Sequence, residues 1–330
     1  MRISLVSLFL TAAFMSCATA PPQHSVVIGT ANHTYGWVAD WGKRTDGSPL
    51  GNTHGCVVVD KKGRLYVNTD TRDSVMVFSP KGEFLKSWGH ELHHGLHGMT
   101  LVREGTEEFL YLAHTARHEV LKTTLDGEVI WRLSHPSESG VYKNKNQFKP
   151  TAIAVRPQGG FFVADGYGQS WVHLYDADRK YIRSFGGRGK GPGKMHTPHG
   201  LFMDTRQDEP VLIVCDRENH RLQLFDMEGT HKGVVSGMLR RPCNISRHGN
   251  DLAVADLAGR VTILNARNEL VCHLGDNPDP EKRARNNIAR SDWEDGEFLS
   301  PHGVAFDREG NLFVADWNRF GRVTRLNRIK

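Results

Sequence analysis

Short runs of Val, Ile, Leu and Phe recur along the chain, separated by turns rich in Gly, Asp and Asn. Such runs predict β-strands closed by tight turns, too closely spaced for helical crossovers. The runs fall into a repeat. Residues 301–316 read Pro-His-Gly-Val-Ala-Phe-Asp-Arg-Glu-Gly-Asn-Leu-Phe-Val-Ala-Asp, and related units begin at His54, His97, Pro150, Pro198 and Pro242. Each unit predicts a first apolar strand, a Gly-containing turn and a second strand that ends in Asp or a variant of it. A third strand follows, such as residues 75–78 or 221–225, and a fourth, such as 84–89 or 181–186. Four short strands repeated six times predict an all-β, six-bladed β-propeller. The last unit stops after a third strand at residues 322–326. Residues 35–42 read as an orphan fourth strand, expected to close blade six from the N-terminal side. The Asp residues that end second strands, Asp165, Asp216, Asp256 and Asp316, are expected to hold blade turns together.

Composition leaves this picture intact. With 38% hydrophobic residues, 24% charged residues and 34 glycines among 330, the chain is neither disordered nor fibrous. A formal charge of +5, with both signs interleaved, gives no basis for a nucleic-acid groove. Residues 281–285 read as a solvated charged face. Residues 1–20 differ: Arg2 precedes an apolar stretch and a run of small residues, which predicts an export signal. Two processing routes fit, peptidase cleavage near the small residues or lipidation at Cys17. Residues 21–330 are then one extracytoplasmic propeller domain, soluble or lipid-tethered and expected to be monomeric. Cys56, Cys215, Cys243 and Cys272 lie in or beside apolar strands and are expected to be buried free thiols. Residues 134–149, 187–197 and 276–299 lengthen the spacing between units and are expected to wall a ligand site. The glycine-rich stretch 186–193 lacks the strand–loop–helix context of a phosphate loop and reads as a flexible rim loop.

The blade-start positions carry the chemistry. They are His54, His97, Thr151, His199, Cys243 and His302. Inner strands start around the central channel, and alternate blades of a sixfold ring lie about 120° apart. His97, His199 and His302, on blades two, four and six, should therefore converge on the axis. Three imidazoles around one point suit Zn²⁺ with an open fourth position, and iron, cobalt or copper are alternatives. His54 lies on an odd blade and reads as a packing or supporting group. His90, His93 and His94 read as loop surface, and His114, standing where most units have Asp, is expected to face a blade turn or the channel mouth, where it is a candidate proton carrier. Tyr167 and Arg217 both follow second strands and should reach the same mouth, as a proton acceptor and a carboxylate clamp.

These residues carry a resemblance to the peptidyl-α-hydroxyglycine α-amidating lyase domain of peptidylglycine α-amidating enzymes, an NHL-type six-bladed propeller. The resemblance spans roughly residues 53–326. It places the family's zinc histidines on His97, His199 and His302, its tyrosine on Tyr167 in Asp-Gly-Tyr, and one arginine on Arg217 in Asp-Arg-Glu-Asn. It implies a zinc-dependent lyase that cleaves a carbinolamide C–N bond in a small-molecule or peptide-like substrate, giving an amide and glyoxylate. Several positions depart from the family. Its other active-site arginine aligns with Asp70, leaving Arg72 and Arg117 as spatial substitutes. A calcium-binding Asp is replaced by Gly303, so Ca²⁺ is not expected, and a disulfide cysteine is replaced by Gly168. The alternatives are a different metal-dependent lyase or hydrolase, and a non-catalytic NHL-propeller binding protein.

Overall fold

The computed structural model describes residues 26–38 and 41–329. The stretch read as an export signal, with Cys17, and two residues of the orphan strand lie outside the described residues. No helix among those described is long and apolar enough to cross a membrane.

Six antiparallel sheets form the blades of a ring. Their inner strands are Val57–Val59, Leu96–Glu104, Ala152–Val155, Pro198–Asp204, Pro242–His248 and Pro301–Phe306. Blade four is representative, with Pro198–Asp204, Val211–Asp216, Arg221–Phe225 and His231–Val235 running outward in chain order. Blade six closes as expected. His33–Val38 is its fourth strand and pairs antiparallel with Arg322–Arg328, Tyr35 opposite Arg328 and Trp37 opposite Leu326. A further strand, Val27–Thr30, pairs outside it, which the repeat pattern did not predict.

The second strands are apolar throughout because both of their faces are buried. In blade three, Phe161 and Val163 face the core shared with blade two, while Phe162 and Ala164 face the core shared with blade four. Blade six divides Leu312 and Val314 from Phe313 and Ala315 in the same way. Period-two side-chain alternation thus supplies two interfaces per strand. The described residues form six such cores, one per pair of neighbouring blades. One of them, built on Trp41, Val67 and Phe313, joins blade six to blade one.

Closure rests on Trp37, 3% exposed, whose ring lies 4.9 Å from Phe298 and whose Nε1 donates to Asp295 at 3.0 Å. Trp37→Ala removes a large side chain from a core that cannot collapse. The expected cost is about 3–5 kcal/mol, read as a fall in thermal midpoint of roughly 10 °C.

The Asp residues ending second strands do hold turns, each fixing the approach to the inner strand of its own blade. Asp216 Oδ1 accepts from His196 N at 2.7 Å. Asp316 Oδ1 accepts from Leu299 N at 3.0 Å and Ser300 N at 2.6 Å. Asp165 accepts from Lys149 N and Gln169 N, both at 2.6 Å. The last contact explains Gly168: a Cβ there would lie 2.0 Å from Asp165 Oδ1 and 2.3 Å from Gln147 O.

Segment 134–149 carries two short 3₁₀ turns and is tied to blade three by Tyr142. The Tyr142 hydroxyl is 2.8 Å from Asp165 Oδ2 and 2.6 Å from His173 Nε2, and His173 Nδ1 is 2.7 Å from Ser184 Oγ. Burial holds the His173 pKa down at about 3. Below pH ~6.5 the unfolded chain therefore takes up a proton at this position that the folded chain refuses. Stability should fall as pH drops from ~6.5 toward 3, by about 1.4 kcal/mol per pH unit from this residue. Urea denaturation across this range should give a smaller slope for His173→Gln than for the wild type.

Candidate metal centre

The histidines reach the axis through a local irregularity of the inner strands. The ladder register slips between Leu96 and Gly98, between Pro198 and Leu201, between Pro242 and Asn244, and between Pro301 and Gly303. His97, His199, Cys243 and His302 lie within these slips. Such bulges redirect a side chain that regular pleating would send elsewhere.

The glycine after each histidine serves the same geometry. A Cβ on Gly98 would lie 2.3 Å from Thr151 O, one on Gly200 2.2 Å from Cys243 O, and one on Gly303 2.8 Å from Gly55 O. Each of these carbonyls, on the next inner strand round the ring, also meets the preceding histidine. His97 Nδ1 is 2.9 Å from Thr151 O, His199 Nδ1 is 3.0 Å from Cys243 O, and His302 Nδ1 is 2.9 Å from Gly55 O. A carbonyl only accepts, so each Nδ1 carries the proton and each Nε2 keeps its lone pair. A pinned Nδ1–H with a free Nε2 is the state a metal requires of a histidine ligand.

The three imidazole centroids lie 4.7, 5.0 and 4.6 Å apart, and the three side chains are almost completely buried. His302 Nε2 is a buried atom without a hydrogen-bond partner. Burial first, and then neighbouring positive groups, hold all three pKa values well below the ordinary histidine range. The rings are therefore neutral at pH 7, again as metal binding requires.

Tyr167 and Arg217 reach this cluster. Tyr167 Oη lies 3.2 Å from His97 Nε2 and 3.1 Å from His199 Nε2, and it accepts from Arg217 Nη1 at 3.2 Å. Its single proton serves one imidazole at a time. Burial raises the Tyr167 pKa, and the Arg217 charge opposes that rise. Arg217 Nε donates to Glu218 at 2.8 Å, and Arg241 Nη2 donates to the same carboxylate at 2.6 Å.

Three further residues stand at the cluster: His54, read as a packing or supporting group, Cys243, read as a buried thiol, and Arg241, which the sequence reading did not single out. His54 is in the cluster, its ring 5.1 Å from His97 and 5.0 Å from His302, against Trp317 at 5.4 Å. Asp70 holds it: Oδ2 is 3.2 Å from His54 Nδ1 and accepts from Asn52 at 2.8 Å. The carboxylate aligned with the family's second arginine thus orients a histidine. Cys243 is more than a packing thiol, since its ligand atom and those of His199 and His302 lie within 4.8 Å of one another; His54, His97 and His302 form a second such trio. Burial pushes the Cys243 thiol up to about 12, so it is protonated at pH 7. Arg241 is the third, with its buried Nε unpartnered. Its position two residues before Cys243, at a blade start, was the available signal.

Other expectations need correction. His114 does not reach the mouth; its Nε2 is 3.0 Å from Leu92 O and its Nδ1 accepts from Arg117 N at 3.2 Å, so it holds a blade turn. Burial accordingly lowers its pKa to about 4. Arg117 donates to the Glu91 carbonyl. Arg72 is exposed, and neither arginine contacts the histidines among the described contacts. His90, His93 and His94 do form loop surface, and the four described cysteines are buried and free.

Fold and site together define a six-bladed propeller whose axial His/Cys cluster is able to bind a transition metal. No family model matches the chain. Over 261 residues, 74% of this chain, it is 27% identical to peptidyl-glycine alpha-amidating monooxygenase B of Xenopus laevis, but those residues are 27% of that protein. Peptidyl-alpha-hydroxyglycine alpha-amidating lyase 2 of Drosophila melanogaster is 26% identical over 270 residues, 78% of this chain and 60% of that one. A streptogramin B lyase structure superposes with a TM-score of 0.59 at 12% identity, covering 84% of this chain and 94% of that one, which speaks to the fold alone. The chain is thus a propeller related at low to moderate identity to amidating lyases, and it spans about a quarter of the length of the first of these relatives.

Proposed function

We propose that His97, His199 and His302 hold a zinc ion through their Nε2 atoms and that the site cleaves a carbinolamide C–N bond. The observation that carries the metal assignment is the tautomer: three buried Nδ1–H groups are committed to carbonyls, which leaves an Nε2 lone pair on each of three rings whose centroids lie 4.7, 5.0 and 4.6 Å apart. Bound there, zinc supplies Lewis-acid polarisation of a substrate hydroxyl. Tyr167 stands beside two of the ligands and takes the hydroxyl proton at Oη. The Arg217 guanidinium at 3.2 Å favours the phenolate that must be present before Tyr167 can accept that proton. Arg217 and Arg241, neutralised only in part by Glu218, supply positive charge for a substrate carboxylate. The C–N bond then breaks, the carbinol carbon becomes an aldehyde and the amide nitrogen leaves with a proton. Relatedness to named amidating lyases supports this chemistry over other metal-assisted reactions. The apolar N-terminal stretch supports an extracytoplasmic setting for it.

The direct test is glyoxylate release from an N-acyl-α-hydroxyglycine by zinc-loaded protein. Turnover is expected. Zinc-loaded protein that leaves this substrate intact would dismiss the lyase reading while sparing the metal site. Arg217→Gln should raise KM for the carboxylate substrate about tenfold or more, and should affect the corresponding carboxamide much less.

A further inference from the structure

A large cavity lies away from the histidines. It opens at the opposite end of the channel, measures ≈ 1090 Å³, and is reached by the far ends of the same inner strands. Leu96–Glu104 carries His97 near one end, while Leu101 and Arg103 near the other line this cavity. Between the two lies a constriction with a void of only ≈ 10 Å³, lined by Cys56, Met99, Cys243 and Asn244. Asn244 Nδ2 reaches Cys56 Sγ across it at 3.7 Å.

The cavity floor carries apolar side chains such as Met99, Leu101, Met203 and Phe306 beside polar ones such as Thr100 and Ser246, and it extends outward to Trp131 between blades two and three. Its charge is one-sided. Arg103, Lys122, Arg156, Arg179 and Arg247 line it against a single acid, Glu104. Lys122 Nζ donates to Glu104 at 2.6 Å, so that pair cancels. Arg156 is 3.4 Å from Glu228, which lies outside the lining. Among the described residues Arg103, Arg179 and Arg247 form no ion pair. Arg247 donates to Gly249 O and Thr205 Oγ1, and the Arg179 guanidinium lies 5.8 Å from the Trp131 ring centre. A hollow of mixed apolar and polar lining, with unneutralised guanidinium groups at its mouth, complements a molecule with an apolar body and an anionic head.

We infer that this end of the channel is a second binding site, for a single-chain amphiphile with an anionic head, of which a fatty-acid carboxylate is the simplest. The chain lies along the apolar side chains of the floor and the head meets the arginines. The site stands apart from the histidine cluster and does not depend on the lyase reading.

The test is calorimetric titration of the full protein with dodecanoate below its micelle concentration. Saturable one-to-one binding is expected, at least tenfold weaker for dodecyltrimethylammonium, which keeps the tail and inverts the head. Butanoate should bind at least tenfold more weakly than dodecanoate. A double variant, Arg179→Glu with Arg247→Glu, should lose at least tenfold in affinity with its thermal midpoint unchanged, because both side chains are exposed. His199→Ala should bind dodecanoate as the wild type does. Absence of saturable binding would overturn the inference, as would equal affinity for the cationic amphiphile, for butanoate or in the double variant. Loss of binding in His199→Ala would also overturn it as a separate site.

Discussion

Alanine at position 199 is expected to strip the protein of its transition metal. Purified wild-type protein should carry about one zinc or equivalent ion per chain by elemental mass spectrometry, and His199→Ala about a tenth of that or less. Two reasons make this the largest effect. An imidazole is one of only three expected ligands, and Nδ1 of the same ring ties blade four to Cys243 O of blade five at 3.0 Å. Supporting groups around metal sites are worth about 10–100-fold in affinity, and a ligand is worth more. His302→Ala should behave alike. His54→Ala should retain most of the metal if His54 only supports, and lose it if the trio with His97 and His302 is the true ligand set. Wild-type protein that stays metal-free after reloading with zinc would end the metalloenzyme reading.

Tyr167→Phe is the second. The phenol ring packs among His54, His97 and His199, with centroids at 6.4, 5.0 and 5.5 Å, so phenylalanine keeps the shape and removes only Oη. Metal content and thermal midpoint should therefore hold. Turnover of the α-hydroxyglycine substrate should fall about 10²–10⁴-fold, the usual loss for a positioned proton acceptor, mostly in kcat. A Phe variant with wild-type kcat would remove Tyr167 from the chemistry and leave the metal and the arginines to act alone.

Blade number and ring closure were legible because the second strands are buried on both faces and repeat as apolar runs that, except in blade two, end near an Asp. The extra edge strand Val27–Thr30 was not legible, since its burial is slight and it falls outside the repeat. Convergence of His97, His199 and His302 followed from blade parity, because position in a ring of like units is fixed by counting. His114 takes the blade turn, one of its two expected placements, and not the mouth. The repeat register correctly placed it at an Asp position, and its two nitrogens bond to backbone, so it does a turn-holding Asp's work.

The sequence by itself determined the strand pattern, the six units and the three axial histidines, all properties that repeat at fixed spacing. The tertiary structure alone decided which neighbours join them. Cys243 and Arg241 come from blade five, His54 and Asp70 from blade one, and the cationic cavity from the far ends of the inner strands. Cys243 and His54 share the repeat position of the axial histidines, but whether such side chains join the cluster depends on bulges, strand twist and the carbonyl that pins each Nδ1, and those are settled only when neighbouring blades pack.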